Sequence, residues 1–290
     1  MRKILNNYYP KSKSWFECFG KELRYSFRVL KSLFCHRKVL RVLAYPELPG
    51  SRAIISKIAI HKKWVITNNP KKKVLFAISW KDSTLRDVPE KLQNLSSKIT
   101  VLNLYNDNIL KTYVEEYFYE AFGYRTRIDP QLHHGKAVCK SEYNATHSGN
   151  IVECPVDTPE KDCIYQIVID NQTEAGFYED IRVPVIGKTI PYVYIKLKEE
   201  SARFETRAQK VYIHEPEKYI SREEQQRIFR FTTSIGLDFG EIDVLRNRTD
   251  GKLYIVDVNN TPYGPPANLA EQDAKKAVEI QSEGLEELFK

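Results

Sequence analysis

Apolar and polar positions alternate in short blocks from residue 38 onward. Val39 to Ala44 reads as a strand, Pro46-Glu-Leu-Pro49-Gly as a turn, and Ser51 to His61 as a helix. Strands are expected at Trp64 to Thr67, Val74 to Trp80 and Ile99 to Leu104, with a helix near Val88 to Leu95. Alternation at this spacing predicts a small parallel α/β unit over 38–104. An aromatic-rich helix, Ile109 to Phe122, then closes on Gly123, and the second unit is taken to run over 105–290.

In that second unit Ala137 to Lys140, Ile151 to Cys154, Ile164 to Ile169, Arg182 to Ile186 and Tyr192 to Leu197 read as strands broken by turn residues. Ser221 with Glu224 forms a capping box, Ile228, Phe231 and Ile235 make an apolar stripe, and Gly236 ends that helix. Two more strands, Glu241 to Leu245 and Leu253 to Val258, flank the turn Arg248-Thr-Asp-Gly251.

Before residue 38 the pattern is different. Trp15, Phe19, Leu23, Phe27, Leu30 and Phe34 recur at helical spacing, with Lys21, Arg24, Arg28 and Lys31 on the other faces. Residues 1 to 42 hold eleven Lys or Arg against Glu17 and Glu22, a net +9; with +7 for the whole chain, the remainder carries about −2. A nucleic-acid-binding body would carry its basic residues on the folded surface, so that class is excluded. The arm, residues 1–37, is either a helix lying on an anionic membrane surface or partner, or one packed on the body. It has no apolar run long enough to span a membrane and no uninterrupted h-region of a secretory signal. The five cysteines, Cys18, Cys35, Cys139, Cys154 and Cys163, include no C-x-x-C pair, which fits free thiols in the cytoplasm and suggests neither a disulfide framework nor a zinc site.

The stretch Gly240-Glu-Ile-Asp-Val-Leu-Arg-Asn-Arg-Thr-Asp-Gly-Lys-Leu-Tyr-Ile-Val-Asp-Val-Asn-Asn-Thr-Pro262 carries the chemistry. Two strands joined by a tight turn place Asp243 on one and Asp257 and Asn259 on one face of the other. Two carboxylates and an amide oxygen can converge as hard ligands for Mg²⁺. Solvated strand residues are the plain alternative, but Asp257 and Asn259 interrupt an otherwise apolar strand.

The run Ser234-Ile-Gly-Leu-Asp-Phe-Gly-Glu-Ile-Asp243, followed by Tyr254-Ile-Val-Asp-Val-Asn259-Asn-Thr-Pro262, resembles the ending of ATP-grasp proteins. It is most similar to the ribosomal-protein glutamate ligases and glutathione synthetases. The resemblance implies an α+β fold with ATP between two subdomains, and Asp243, Asp257 and Asn259 as magnesium ligands. Asp257 stands where Glu is commoner, leaving one or two metal ions open. It further implies Lys140 as a phosphate ligand before the turn Asn144-Ala-Thr-His-Ser-Gly149, with His147 a possible phosphate contact. Gln166, Ile167 and Val168 fall at the adenine hinge. Glu179-Asp-Ile-Arg182-Val resembles the Asp-Ile-Arg-Val signature of the glutamate ligases, so Arg182 and Lys196 are expected to neutralise the transferred phosphoryl group. Arg203 and Arg207 fall in a loop facing the acyl phosphate.

The expected activity is a ligase that uses Mg²⁺ and ATP to activate a carboxylate for attack by an amine. The alternatives are a kinase acting on a sugar or polyol hydroxyl, with Glu241 as base, and a non-catalytic nucleotide-binding module. The expected acceptor is a small molecule or glycan precursor.

Overall fold

The computed structural model describes residues 40–144, 146, 149–204 and 208–289, together with Leu23, Ser26, Phe27 and Leu30 of the arm. The rest of the arm, His147 and Arg207 lie outside the described residues. No helix among the described residues is long and apolar enough to cross a membrane.

The first sheet contains β1 (Arg41–Pro46), β2 (Val65–Thr67), β3 (Ala77–Trp80) and β4 (Val101–Leu102), all parallel, in the order β2-β1-β3-β4. Helix α1 (Ile54–Lys62) connects β1 to β2, and α2 (Glu90–Ser96) connects β3 to β4. This is the α/β alternation read from the pattern; the last strand is shorter than expected. Val42, Ile54, Ile58, Phe76 and Ile78 are fully buried in its core.

Helix α3 (Lys111–Phe122) ends on Gly123 at φ 81°. A three-stranded antiparallel sheet follows, β5 (Gly135–Ser141), β6 (Asn150–Cys154) and β7 (Cys163–Ile167), in the order β6-β5-β7. The last sheet is antiparallel and five-stranded: β8 (Tyr178–Ile186), β9 (Val193–Lys198), β10 (Lys210–His214), β11 (Phe239–Arg246) and β12 (Leu253–Asn259), ordered β10-β9-β8-β11-β12. Helix α4 (Arg222–Ser234) has the expected capping box, with Glu224 N–H donating to Ser221 Oγ at 3.2 Å and Ser221 N–H to the Glu224 carboxylate at 2.8 Å.

Side-chain alternation divides the five-stranded sheet into two chemically distinct faces. Ile181, Val183 and Val185 of β8, Val193 and Ile195 of β9, and Ile242 and Val244 of β11 pack on Phe118 of α3 and on Ile228 and Phe231 of α4. Of the residues between them, Arg182 and Asp243 are charged and lie on the other face, with Pro184 and Tyr194. Helix α5 (Glu271–Glu287) closes the first core from the far end of the chain, burying Leu285 and bringing Phe289 onto Phe76 at a ring distance of 4.7 Å. Asn103 fixes β11 to the first sheet: its side-chain oxygen accepts from the N–H groups of Asp238 and Phe239 at 2.8 and 2.9 Å.

Candidate functional site

The polar face of the five-stranded sheet gathers the charged residues. Across the β11–β12 pair, Asp243 lies directly opposite Asp257, and Glu241 opposite Asn259. One ladder therefore places three carboxylates and an amide on one face, as the alternation of β12 implied. Asp257 Oδ1 and both carboxylate oxygens of Glu241 are buried with no hydrogen-bond partner among the described residues. Burial raises the Asp257 pKa, with Asp243 adding to it and Lys111 and Lys140 opposing. Burial also pushes Glu241 up to about 7, against the pull of Arg182. Leaving such atoms without a hydrogen bond costs free energy, so the cluster can take a group that satisfies them.

Cations surround it. Arg182, opposite Asp243 in the β8–β11 ladder, donates from Nε and Nη2 to the two Asp243 oxygens at 2.8 and 2.9 Å. Its Nη1 is 3.6 Å from Glu241. Burial opposes ionisation of Asp243, yet the guanidinium and Lys196 hold its carboxyl well below the usual range. Lys196 on β9 is 4% exposed, and burial together with Arg182 lowers its pKa to about 8. Its neighbour Lys198 pairs with Asp180 at 2.5 Å.

The three-stranded sheet approaches from the unpaired edge of β12. Lys140, at the end of β5, donates to the Val256 carbonyl at 2.9 Å, and Asn144 donates to the Val258 carbonyl at 2.8 Å. The expected phosphate loop therefore begins against the carboxylate strand. Burial, with Lys111 adding to it, lowers the Lys140 pKa to about 8. Lys111 itself is 3.8 Å from Asp257 Oδ1 and donates to Asn144 Oδ1 at 2.9 Å.

The structure thus brings Lys140, Arg182, Lys196, Glu241, Asp243, Asp257 and Asn259 to one region. The others have different surroundings. Gln166 is buried and donates to Thr126 Oγ1 at 2.6 Å, while the Ile167 amide donates to the Thr126 carbonyl at 2.8 Å; Val168 falls just past β7. Arg203 donates to the Ile169 carbonyl at 2.9 Å and lies over the Tyr178 ring at 4.4 Å. Sequence reasoning missed Lys111 and Lys198. For Lys111 a signal existed: a lysine opening a helix opposes the helix dipole, so it is not there for helix stability.

No family model and no curated protein matches the chain. Solved structures do. The chain is similar to VanG D-Ala:D-Ser ligase from Enterococcus faecalis, at 11% identity and TM-score 0.55, covering 87% of this chain and 100% of that one. It is also similar to the ATP-grasp ligase PsnB, seen with precursor peptide PsnA2 and AMPPNP, at 12% identity and TM-score 0.54, covering 85% and 99%. A third is D-alanine–D-alanine ligase from Bacillus anthracis with ATP, at 12% identity and TM-score 0.50, covering 87% and 96%. At such identities the likeness concerns architecture: the chain has the α+β ATP-grasp fold.

Proposed function

We propose that the protein is an ATP-dependent ligase that converts a carboxylate into an acyl phosphate for attack by an amine-type nucleophile. The observation that carries this reading is the pair Asp243 and Asp257, directly opposed across two strands, with a bare buried oxygen on Asp257. Hard oxygen donors so placed fit Mg²⁺, with Asp243, Asp257 and Asn259 as its ligands. A bound ion would supply positive charge to the phosphates. Lys140 exchanges the Val256 carbonyl for phosphate, and Arg182 and Lys196 hold positive charge where negative charge builds during transfer. Gln166 and the Ile167 amide are committed to Thr126, which leaves Val168 as the hinge residue for the adenine edge. We assign phosphate contacts to His147, Arg203 and Arg207.

In the first step a carboxylate oxygen bonds to the γ-phosphorus and ADP leaves. In the second the amine nitrogen bonds to the acyl carbon, orthophosphate leaves, and the amine loses a proton. The protein contributes position and charge rather than a nucleophile. The similar folds support a ligase; small molecule, peptide or glycan precursor is our proposal for its acceptor. The 38–104 unit precedes the ATP-grasp unit at 105–290, and we assign the basic arm to the inner face of a membrane. Its Leu23, Phe27 and Leu30 are helical and exposed.

A second reading rests on Glu241, whose carboxylate accepts no hydrogen bond among the described residues and suits a base for a hydroxyl acceptor. ATP turnover against pools of acceptors, followed by phosphorus NMR, separates the two. Orthophosphate with a new amide supports the ligase; ADP with a new phosphomonoester refutes it in favour of a kinase.

A further inference from the structure

The two faces of the three-stranded sheet carry different chemistry. In the β5–β7 ladder Lys140 pairs with Ile164 and Val138 with Gln166, so these four share the face that looks toward β12. Cys139 pairs with Tyr165 and Ser141 with Cys163, on the opposite face. Cys139 and Cys163 are therefore diagonal neighbours, close enough for their sulfur atoms to meet. Glu160, in the turn before β7, lies within 3.6 Å of Cys163 Sγ, which donates to its carboxylate. The turn is pinned there by Glu160 N–H donating to the Tyr165 hydroxyl at 2.9 Å. The ligand atoms of Cys139, Cys163 and Glu160 all lie within 4.8 Å of one another.

We propose that Cys139, Cys163 and Glu160 form a binding site for one thiophilic divalent cation of the zinc class, separate from the nucleotide site. Two sulfurs and one carboxylate oxygen are the donor set of a tetrahedral site that keeps a fourth position for water. Cys139 is buried on the inner side, while Glu160 is exposed, so the fourth position faces solvent. Soft thiolates exclude Mg²⁺, and the all-oxygen cluster at Asp243 and Asp257 does not compete well for a thiophilic ion, so each site selects its own metal. Without the ion, burial pushes the Cys163 thiol up to about 11, so binding must release thiol protons. An ion held here ties β5 to β7 and to the turn at Glu160. It does so behind Lys140 and Gln166, which sit on the other face of the same two strands.

The spacing of these cysteines carries no zinc signal because the site is assembled by strand register. Cys139 and Cys163 belong to different strands, and a carboxylate rather than a third cysteine completes the set.

The test uses the full chain, reduced, freed of metal, and held in excess Mg²⁺ to fill oxygen sites. Co²⁺ is titrated and read by absorption, where a thiolate-to-metal charge-transfer band and intense tetrahedral d–d bands report sulfur ligation; Zn²⁺ then displaces it. We expect one Co²⁺ per chain, loss of the charge-transfer band in Cys163→Ser, at least tenfold weaker binding in Glu160→Gln, and an unchanged spectrum in Cys154→Ser. Because Cys163 is only half-buried, its serine variant is chosen over one at buried Cys139, and its fold is checked by circular dichroism. Absence of the band in the wild-type protein, its persistence in Cys163→Ser, or isolation of the chain as a Cys139–Cys163 disulfide overturns the proposal.

Discussion

Asp243→Asn removes one half of a buried ion pair and leaves the other half in place. Arg182 directs both of its short hydrogen bonds at the Asp243 carboxylate, 2.8 and 2.9 Å away, and the next carboxylate, Glu241, is 3.6 Å from Nη1. Deleting one partner of a buried pair costs about 3–5 kcal/mol. Here the Arg182 and Asp243 side chains keep 18% and 16% of their exposure, Asn retains one acceptor, and Glu241 stays within reach. The expected loss is therefore about 2–3 kcal/mol. Asp257→Asn has the opposite sign. Its raised carboxyl pKa means that the charge opposes folding at neutral pH, so neutralising it leaves stability unchanged or improves it by up to about 1 kcal/mol. Both variants are expected to lose Mg²⁺-dependent turnover, because each removes a carboxylate of the proposed metal site. Urea unfolding followed by fluorescence of the buried Trp64 and Trp80, run beside ATP turnover, reads both effects. An Asp243→Asn protein that unfolds at the wild-type midpoint, or an Asp257→Asn protein that falls by as much, refutes this account of the charges.

Other perturbations report on other parts of the molecule. Lys140→Met weakens binding of a non-hydrolysable ATP analogue about tenfold or more, measured calorimetrically, since a charged phosphate contact is lost while the apolar stem remains; an unchanged Kd excludes the role. Lys140 and Lys196 both titrate near 8, and an anion raises their pKa, so metal-free analogue binding takes up about one proton at pH 8 and about a fifth of one at pH 7. Calorimetry in buffers of different ionisation enthalpy measures the uptake, and none at pH 8 counts against both lysines. Gly236→Ala costs more than Gly123→Ala in urea unfolding: both have positive φ, worth about 1 kcal/mol each, but only at Gly236 would a Cβ meet backbone, 2.8 Å from the Tyr105 carbonyl carbon. Deleting residues 1 to 36 leaves near-normal chemistry but lowers sedimentation with anionic vesicles, most at low salt; equal sedimentation of both forms discards the membrane assignment.

What could be read from the chain depended on how local the determinant was. The carboxylate face of β12 was legible because Asp257 and Asn259 stand two apart in one strand, and alternation needs no partner to be seen. The parallel first sheet was legible because each strand is followed by a helix or turn that leaves few ways to continue. Two elements escaped. Helix α5 buries Ala277, Gln281, Ser282 and Leu285, a face half made of polar residues that does not read as a core stripe. Strand β10 is a short edge strand with exposed Tyr212 between its inward residues. The pairing of charges escaped for a deeper reason. Arg182 meets Asp243 across 61 residues because β8 and β11 pair in one register, and a slip of one residue would turn Arg182 to the apolar face. Lys140 reaches Val256 across 116 residues only because one sheet packs against the free edge of another. That register is held by the apolar face, where Ile181, Val183, Val185, Ile242 and Val244 must all point at α3 and α4. The hydrophobic core thereby decides which carboxylate faces which cation, and a change buried among those five residues can disturb the site without touching any residue in it.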